Sequence, residues 1–153
     1  MTWNELKRKV YYQDGSLRDI FVLHADRQDW KKWIDYVNEN YRIEWYNGNT
    51  DKYEDKINVC VIEGHWNREH DLSSIASVFV DAIMINAYFA DDSEIENDIN
   101  PKEFNSPEGH EKLMRFMSDI ARILDKDVIL TPENEKETIL IKIDKGGNRH
   151  YYC

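Results

Sequence analysis

Behind Ser106-Pro107-Glu108, the apolar residues Leu113, Phe116, Met117, Ile120 and Leu124 recur at helical spacing, with Arg115, Ser118, Asp119 and Arg122 on the other side. A capping hydroxyl, a proline at the first helical position and an acid in the first turn mark where such a helix starts. The pattern predicts a helix over 107–124, and its apolar stripe has to be covered by another layer. A second stripe follows Asp26, an N-cap residue with Asp29 in the first turn: Trp30, Trp33, Ile34 and Val37 against Lys31, Lys32, Asp35 and Asn38. That predicts a helix over 26–39, with both tryptophans in the core.

The covering layer is supplied by β-prone runs. Residues 17–24 read as a central strand and 41–46 as an alternating strand ended by Asn47-Gly48-Asn49. Residues 58–62 read as a further strand, and 75–80 and 83–89 as a hairpin across Asp81-Ala82. A short strand over 128–131 stops at Pro132, and 138–143 forms the last strand. Asp14-Gly15 predicts a hairpin turn ahead of 17–24, and Thr2 with Glu5 has capping-box spacing for one short helical turn. Loops are expected at 47–56 and 64–74, and a polar tail at 145–153. The sum is an α+β fold: a mainly antiparallel sheet of five to seven strands with two amphipathic helices packed on one face. The element order also permits a split βαβ arrangement. With 153 residues the chain is expected to form a single domain over 1–153, and folding at this size buries about 68–70% of the unfolded surface.

Composition narrows the function. Hydrophobic residues make up 41% and aromatic residues 12%, too apolar for a disordered chain. No apolar run reaches the ~18 residues that span a bilayer, and the opening lacks the basic-then-apolar order of a signal peptide. With only Cys60 and Cys153, the expected location is the reducing cytoplasm. A net charge of −10 argues against direct contact with nucleic acid or an anionic membrane, and favours a cationic partner.

That charge is concentrated. Residues 1–50 and 111–153 are each balanced, whereas 51–110 hold fourteen acids and four bases (Lys52, Lys56, Arg68, Lys102). The run Asp91-Asp92-Ser93-Glu94-Ile95-Glu96-Asn97-Asp98 contains five acids and no base. In extended structure Ile95 and Ile99 share one face while Glu94, Glu96 and Asp98 line the other at ~7 Å intervals. Such a ladder must face water, a cation or basic side chains. It is read as a docking surface for a basic protein, the plain alternative being a solvated face. Asp51, Glu54 and Asp55 form a second acidic loop, and Tyr53 and Trp66, in polar stretches without periodicity, are the expected aromatic anchors.

Catalytic chemistry finds little support. In His65-Trp66-Asn67-Arg68-Glu69-His70 the histidines are five apart, ~140° around a helix, and diverge, unlike the ligands of H-E-x-x-H. His24, His110 and His150 lack companions at ligand spacing. There is no G-x-S-x-G elbow and no phosphate-binding glycine loop, and Cys60 sits in an apolar run as an inert core thiol. No metal or cofactor is expected, and the chain is read as a non-enzyme.

Three stretches carry a resemblance: Asp14-Gly15-Ser16-Leu17-Arg18-Asp19-Ile20-Phe21-Val22, Glu94-Ile95-Glu96-Asn97-Asp98-Ile99-Asn100-Pro101, and Asp127-Val128-Ile129-Leu130-Thr131-Pro132-Glu133-Asn134. As a set the chain resembles small acidic immunity proteins of bacterial toxin–immunity pairs, the polymorphic-toxin and contact-dependent-inhibition systems. The resemblance implies stoichiometric neutralisation of a cognate toxin domain, commonly a basic nuclease, with no residue-level motif for the contact. A DNA-mimicking inhibitor of a nucleic-acid-binding protein is the alternative; a metal-dependent hydrolase using His65 and His70 is the more distant one.

Overall fold

The computed structural model describes residues 1–70 and 74–153. Helices are α1 (Trp3–Lys9), α2 (Arg27–Asn40), α3 (Val59–Trp66) and α4 (Pro107–Leu124), with a 3₁₀ turn at Pro101–Glu103. Strands are β1 (Arg18–Val22), β2 (Arg42–Asn47), β3 (Lys52–Glu54), β4 (Ile75–Val80), β5 (Ile83–Ala87), β6 (Ile95–Ile99), β7 (Val128–Pro132), β8 (Ile141–Ile143) and β9 (Arg149–Tyr151). They form one sheet in the order β3-β2-β4-β5-β6-β1-β7-β8-β9, and every pairing is antiparallel. β6 and β7 run parallel to each other on either side of β1, with α4 between them in the chain, so this part of the sheet is a split βαβ arrangement; the whole sheet is wider than the five to seven strands expected.

The two long helices begin where expected, although the Ser106 hydroxyl makes no capping hydrogen bond at α4. Asp26 and Asp29 form a reciprocal capping box, and Pro107 occupies the first turn of α4. Trp30, Trp33, Ile34 and Val37 of α2 and Leu113, Phe116, Met117, Ile120 and Leu124 of α4 are buried together. α2 packs on α4 and β2, and α4 on β7 and β8, so both lie on one face of the sheet. Facing them are alternate strand residues such as Ile43, Trp45, Val78, Ile85, Ile99, Ile20 and Leu130. α1 and α3 add Leu6 and Ile62 to the same core. The opposite side is the outer face.

Four local expectations are corrected. Residues 58–62 are not a strand: Asn58 caps Cys60 and starts α3, and an apolar run of four fits either period. Cys60 is consequently exposed, not a core thiol. The loop expected at 64–74 is helical up to Trp66, and its part at 71–73 lies outside the described residues. Asp14-Gly15 makes a bend and no hairpin, although Gly15 has φ of +88°. The reason is Arg18, whose buried guanidinium gathers the carbonyls of Val10 (2.7 Å), Tyr12 (2.6 Å) and Leu17 (2.7 Å). The segment wraps this cation, and the carbonyls of Val10, Tyr12 and Leu17 accept from it. Finally, β3 interrupts the 47–56 loop and β9 the supposed 145–153 tail. The Asp144 carboxylate accepts from the backbone of Gly146 (2.9 Å) and Asn148 (3.0 Å), turning the chain back onto β8. The strand expected at 138–143 is correspondingly shorter.

Candidate functional site: an acidic outer face

β6 alternates as its sequence requires. Ile95, Asn97 and Ile99 point to the helices, while Glu96 and Asp98 point outward, in line with Glu94. Register pairing then builds a polar row across six strands: Glu44, Ser77, Asn86, Asp98, Asp19 and Thr131. Ser77 Oγ donates to Asn86 Oδ1 (2.8 Å), whose Nδ2 donates to Asp98 Oδ1 (3.1 Å). Asp98 lies directly across from Asp19 of β1. The neighbouring row runs Glu96, Phe21, Ile129 and Lys142.

Four carboxylates thus converge: Asp19, Glu94, Glu96 and Asp98. The chain after β7 folds over them. The Asn134 backbone N–H donates to Asp19 Oδ2 (2.8 Å), and Lys136 Nζ sits 2.6 Å from Glu94 Oε2 and 5.3 Å from the Phe21 ring centroid. Among the described residues Lys136 is the one side-chain cation ion-paired to this group. Burial is the main force raising the Asp19, Glu96 and Asp98 carboxyls above their ordinary range, with mutual repulsion adding to it at Asp19 and Glu96. Hydrogen bonds from Asn86 and Tyr88 partly oppose the rise at Asp98, and burial together with that bond raises the Tyr88 phenol. A cation delivered here meets negative potential that water screens poorly.

The other residues singled out by sequence have various placements. Asp91 is held below the usual carboxylate range by the Ser93 backbone (2.8 Å) and hydroxyl (2.7 Å). Asp92 pairs with Arg27 at 2.8 Å. Asp51 accepts from the Tyr46 hydroxyl, and Glu54 from Asn47 Nδ2 (2.5 Å); Asp55 is exposed. These belong to the β3 edge, separated from β6 by β2, β4 and β5, so the two acidic groups do not merge. Tyr53 is 74% exposed and shares the outer face with Tyr46. Trp66 is the last residue of α3, partly buried beside Trp30, with its Nε1 donating to Phe89 O (2.8 Å) and Arg27 above its ring.

Sequence reasoning missed Asp19, and also Ile75 (46% exposed) and Tyr88 (40% exposed), which add apolar surface to the outer face beside the acids. Asp19 occupies an alternate position of a strand read correctly; only its pairing with β6 reveals its role. His65 and His70, expected to diverge, lie with ring centroids 6.1 Å apart, because the chain leaves α3 and turns at Arg68 with φ of +59°. Among the described residues, no group of three or more His, Cys, Asp or Glu side chains has the geometry to hold a metal. No helix among them is long and apolar enough to cross a membrane.

A helix layer on one side of a nine-stranded antiparallel sheet, with a face of polar and charged side chains on the other that the 133–136 segment partly covers, defines an α+β fold. No protein-family model and no curated protein matches the sequence. Among solved structures, the chain is similar to a chain of the crystal structure of the toxic C-terminal tip of CdiA from Pseudomonas aeruginosa in complex with immune protein. The TM-score is 0.53, over 83% of this chain and 94% of that one, at 10% identity. The likeness is one of fold.

Proposed function

We propose that this chain is an immunity protein, binding a cognate bacterial toxin domain stoichiometrically through the outer face and performing no reaction itself. The observation that carries the reading is the convergence of Asp19, Glu94, Glu96 and Asp98 with a single ion-paired lysine among the described residues. Holding carboxylates part-buried and under-compensated costs stability, and a basic protein surface returns that cost on binding. The fold shared with a chain of a toxin–immune complex supports it, as do the sequence stretches resembling immunity proteins.

Glu94 and Glu96 are the proposed centre of the contact, with Asp98 behind them and Asp91 and Asp92 at its margin. Tyr88 and Ile75 extend it toward Tyr53, where Asp51, Glu54 and Asp55 form a second acidic edge. Trp66 serves as an anchor only through the part of its ring not already packed on Trp30. The toxin is expected to be basic, a nuclease being the natural case, and to meet this chain in the cytoplasm.

Co-expression with the toxin domain encoded by the adjacent gene tests the reading. A one-to-one complex that restores growth supports it, and growth arrest with no complex overturns it. The Glu94, Glu96 and Asp98 ladder, with its ~7 Å repeat along a strand, also supports a second reading as a mimic of nucleic-acid phosphates. Recovery of a DNA-binding enzyme in place of the toxin would favour that reading.

A further inference from the structure

A cleft of about 500 Å³ lies away from the acidic cluster, where the end of α2, the start of β2, the β4–β5 turn and α4 meet. Arg42, Lys112 and Arg115 line it together with Tyr41 and Phe79, and Asp81 is its one acid. Three cations around one cavity oppose the trend of a chain carrying −10. Lys112 pairs with Asp81 at 2.8 Å, and Arg42 reaches Glu44 at 3.3 Å while lying 3.8 Å above the Phe79 ring. Arg115 has no ion-pair partner among the described residues. It faces the same cleft from the exposed side of α4.

The end of α2 would ordinarily disfavour an anion here, since its free carbonyls carry partial negative charge. Two of those carbonyls, on Val37 and Asn38, already have donors. The Tyr41 backbone N–H donates to Val37 O (3.1 Å), Asn40 Nδ2 to Tyr36 O (2.8 Å), and Lys56 Nζ to Asn38 O. Arginine presents a planar fork of donors that fits tetrahedral and planar oxyanions, and Arg42, from the strand side, and Arg115, from α4, both line this cleft with Lys112.

We propose that this cleft binds a phosphate group, free or as a phosphomonoester of a small ligand, held by Arg42 and Arg115 with Lys112 completing the contact. The site is independent of the toxin-binding reading and can be tested on the chain alone.

The test is a titration of the isotopically labelled protein with inorganic phosphate and, in parallel, methyl phosphate, following arginine side-chain resonances at constant ionic strength set by chloride. The expected result is saturable movement of the Arg42 and Arg115 signals, weakened about tenfold by Arg115→Gln. Asp81→Asn releases Lys112 and is expected to tighten binding by up to about fivefold. Asparagine tolerates the positive φ of 55° at that position, so the fold is kept. Tighter binding of one probe than the other assigns the ligand as free phosphate or as the ester. Movement that does not saturate, or that persists unchanged in Arg115→Gln, would overturn the site.

Discussion

Arg18 and Asp19 are adjacent on β1 and point to opposite faces of the sheet, and the structure treats their charges in opposite ways. The Arg18 guanidinium is buried with each nitrogen accepted by a backbone carbonyl and the Tyr12 ring 3.7 Å from its carbon. Asp19 is equally buried but faces Asp98 and has a single backbone donor, the Asn134 N–H. A satisfied buried charge organises its surroundings: eight residues of chain close around Arg18. An unsatisfied one stores potential that something outside the molecule can use.

Removing the satisfied charge is expected to have the largest effect. Arg18→Met leaves one buried and two part-buried carbonyls without this donor and should destabilise by about 3–4 kcal/mol, read from urea unfolding. A loss under about 1 kcal/mol would show that the 10–17 segment does not depend on the cation.

The next test concerns pH. His110 is buried between the Tyr11 and Tyr151 hydroxyls, at 2.6 and 2.9 Å, and burial holds its pKa down to about 4, against 6.5 ordinarily. The unfolded chain takes up this proton first, so stability should fall as pH drops from 6.5 to 4, by up to about 3 kcal/mol. Subtracting the pH–stability curve of His110→Gln from that of the wild type isolates the loss. The acidic face has the reverse sign. Raised carboxyl pKa values mean the folded state takes up protons first, so the contribution of Asp19, Glu96 and Asp98 is present at low pH and lost as pH rises through their raised values.

It follows that neutralising the outer face should stabilise the chain near pH 7. Asp98→Asn keeps an acceptor for Asn86 and Tyr88, and with Glu96→Gln should add roughly 0.5–1 kcal/mol in thermal unfolding. Destabilisation by the pair would mean the acids are compensated after all. The smallest effect is expected from Lys136→Gln, under about 0.5 kcal/mol because the pair with Glu94 is half-exposed on the lysine side.

How far the sequence disclosed all this follows the same division. α2 and α4 were legible to within a residue or two because caps and a 3.6-residue stripe point to one answer. The β4–β5 hairpin and the outward ladder of β6 were legible from alternation alone. What escaped was decided at long range. The bend at 14–15 depends on where the Arg18 side chain finds acceptors, and β3 and β9 are three-residue edge strands made by pairing with a neighbour. α3 follows from a cap at Asn58 that a four-residue apolar run does not announce. The ladder was readable, but its completion by Asp19 and Tyr88 comes from strand order, which no local pattern carries.

The most direct measurement of the central claim is the association rate of the adjacent-gene toxin domain with wild type and with Glu94→Lys/Glu96→Lys, at low and at high salt. Both residues lie on the outer face, and neither shapes the core. The account predicts a slower association of the variant, by about tenfold or more at low salt, and a flatter salt dependence. Equal rates and equal salt slopes for the two proteins would contradict it.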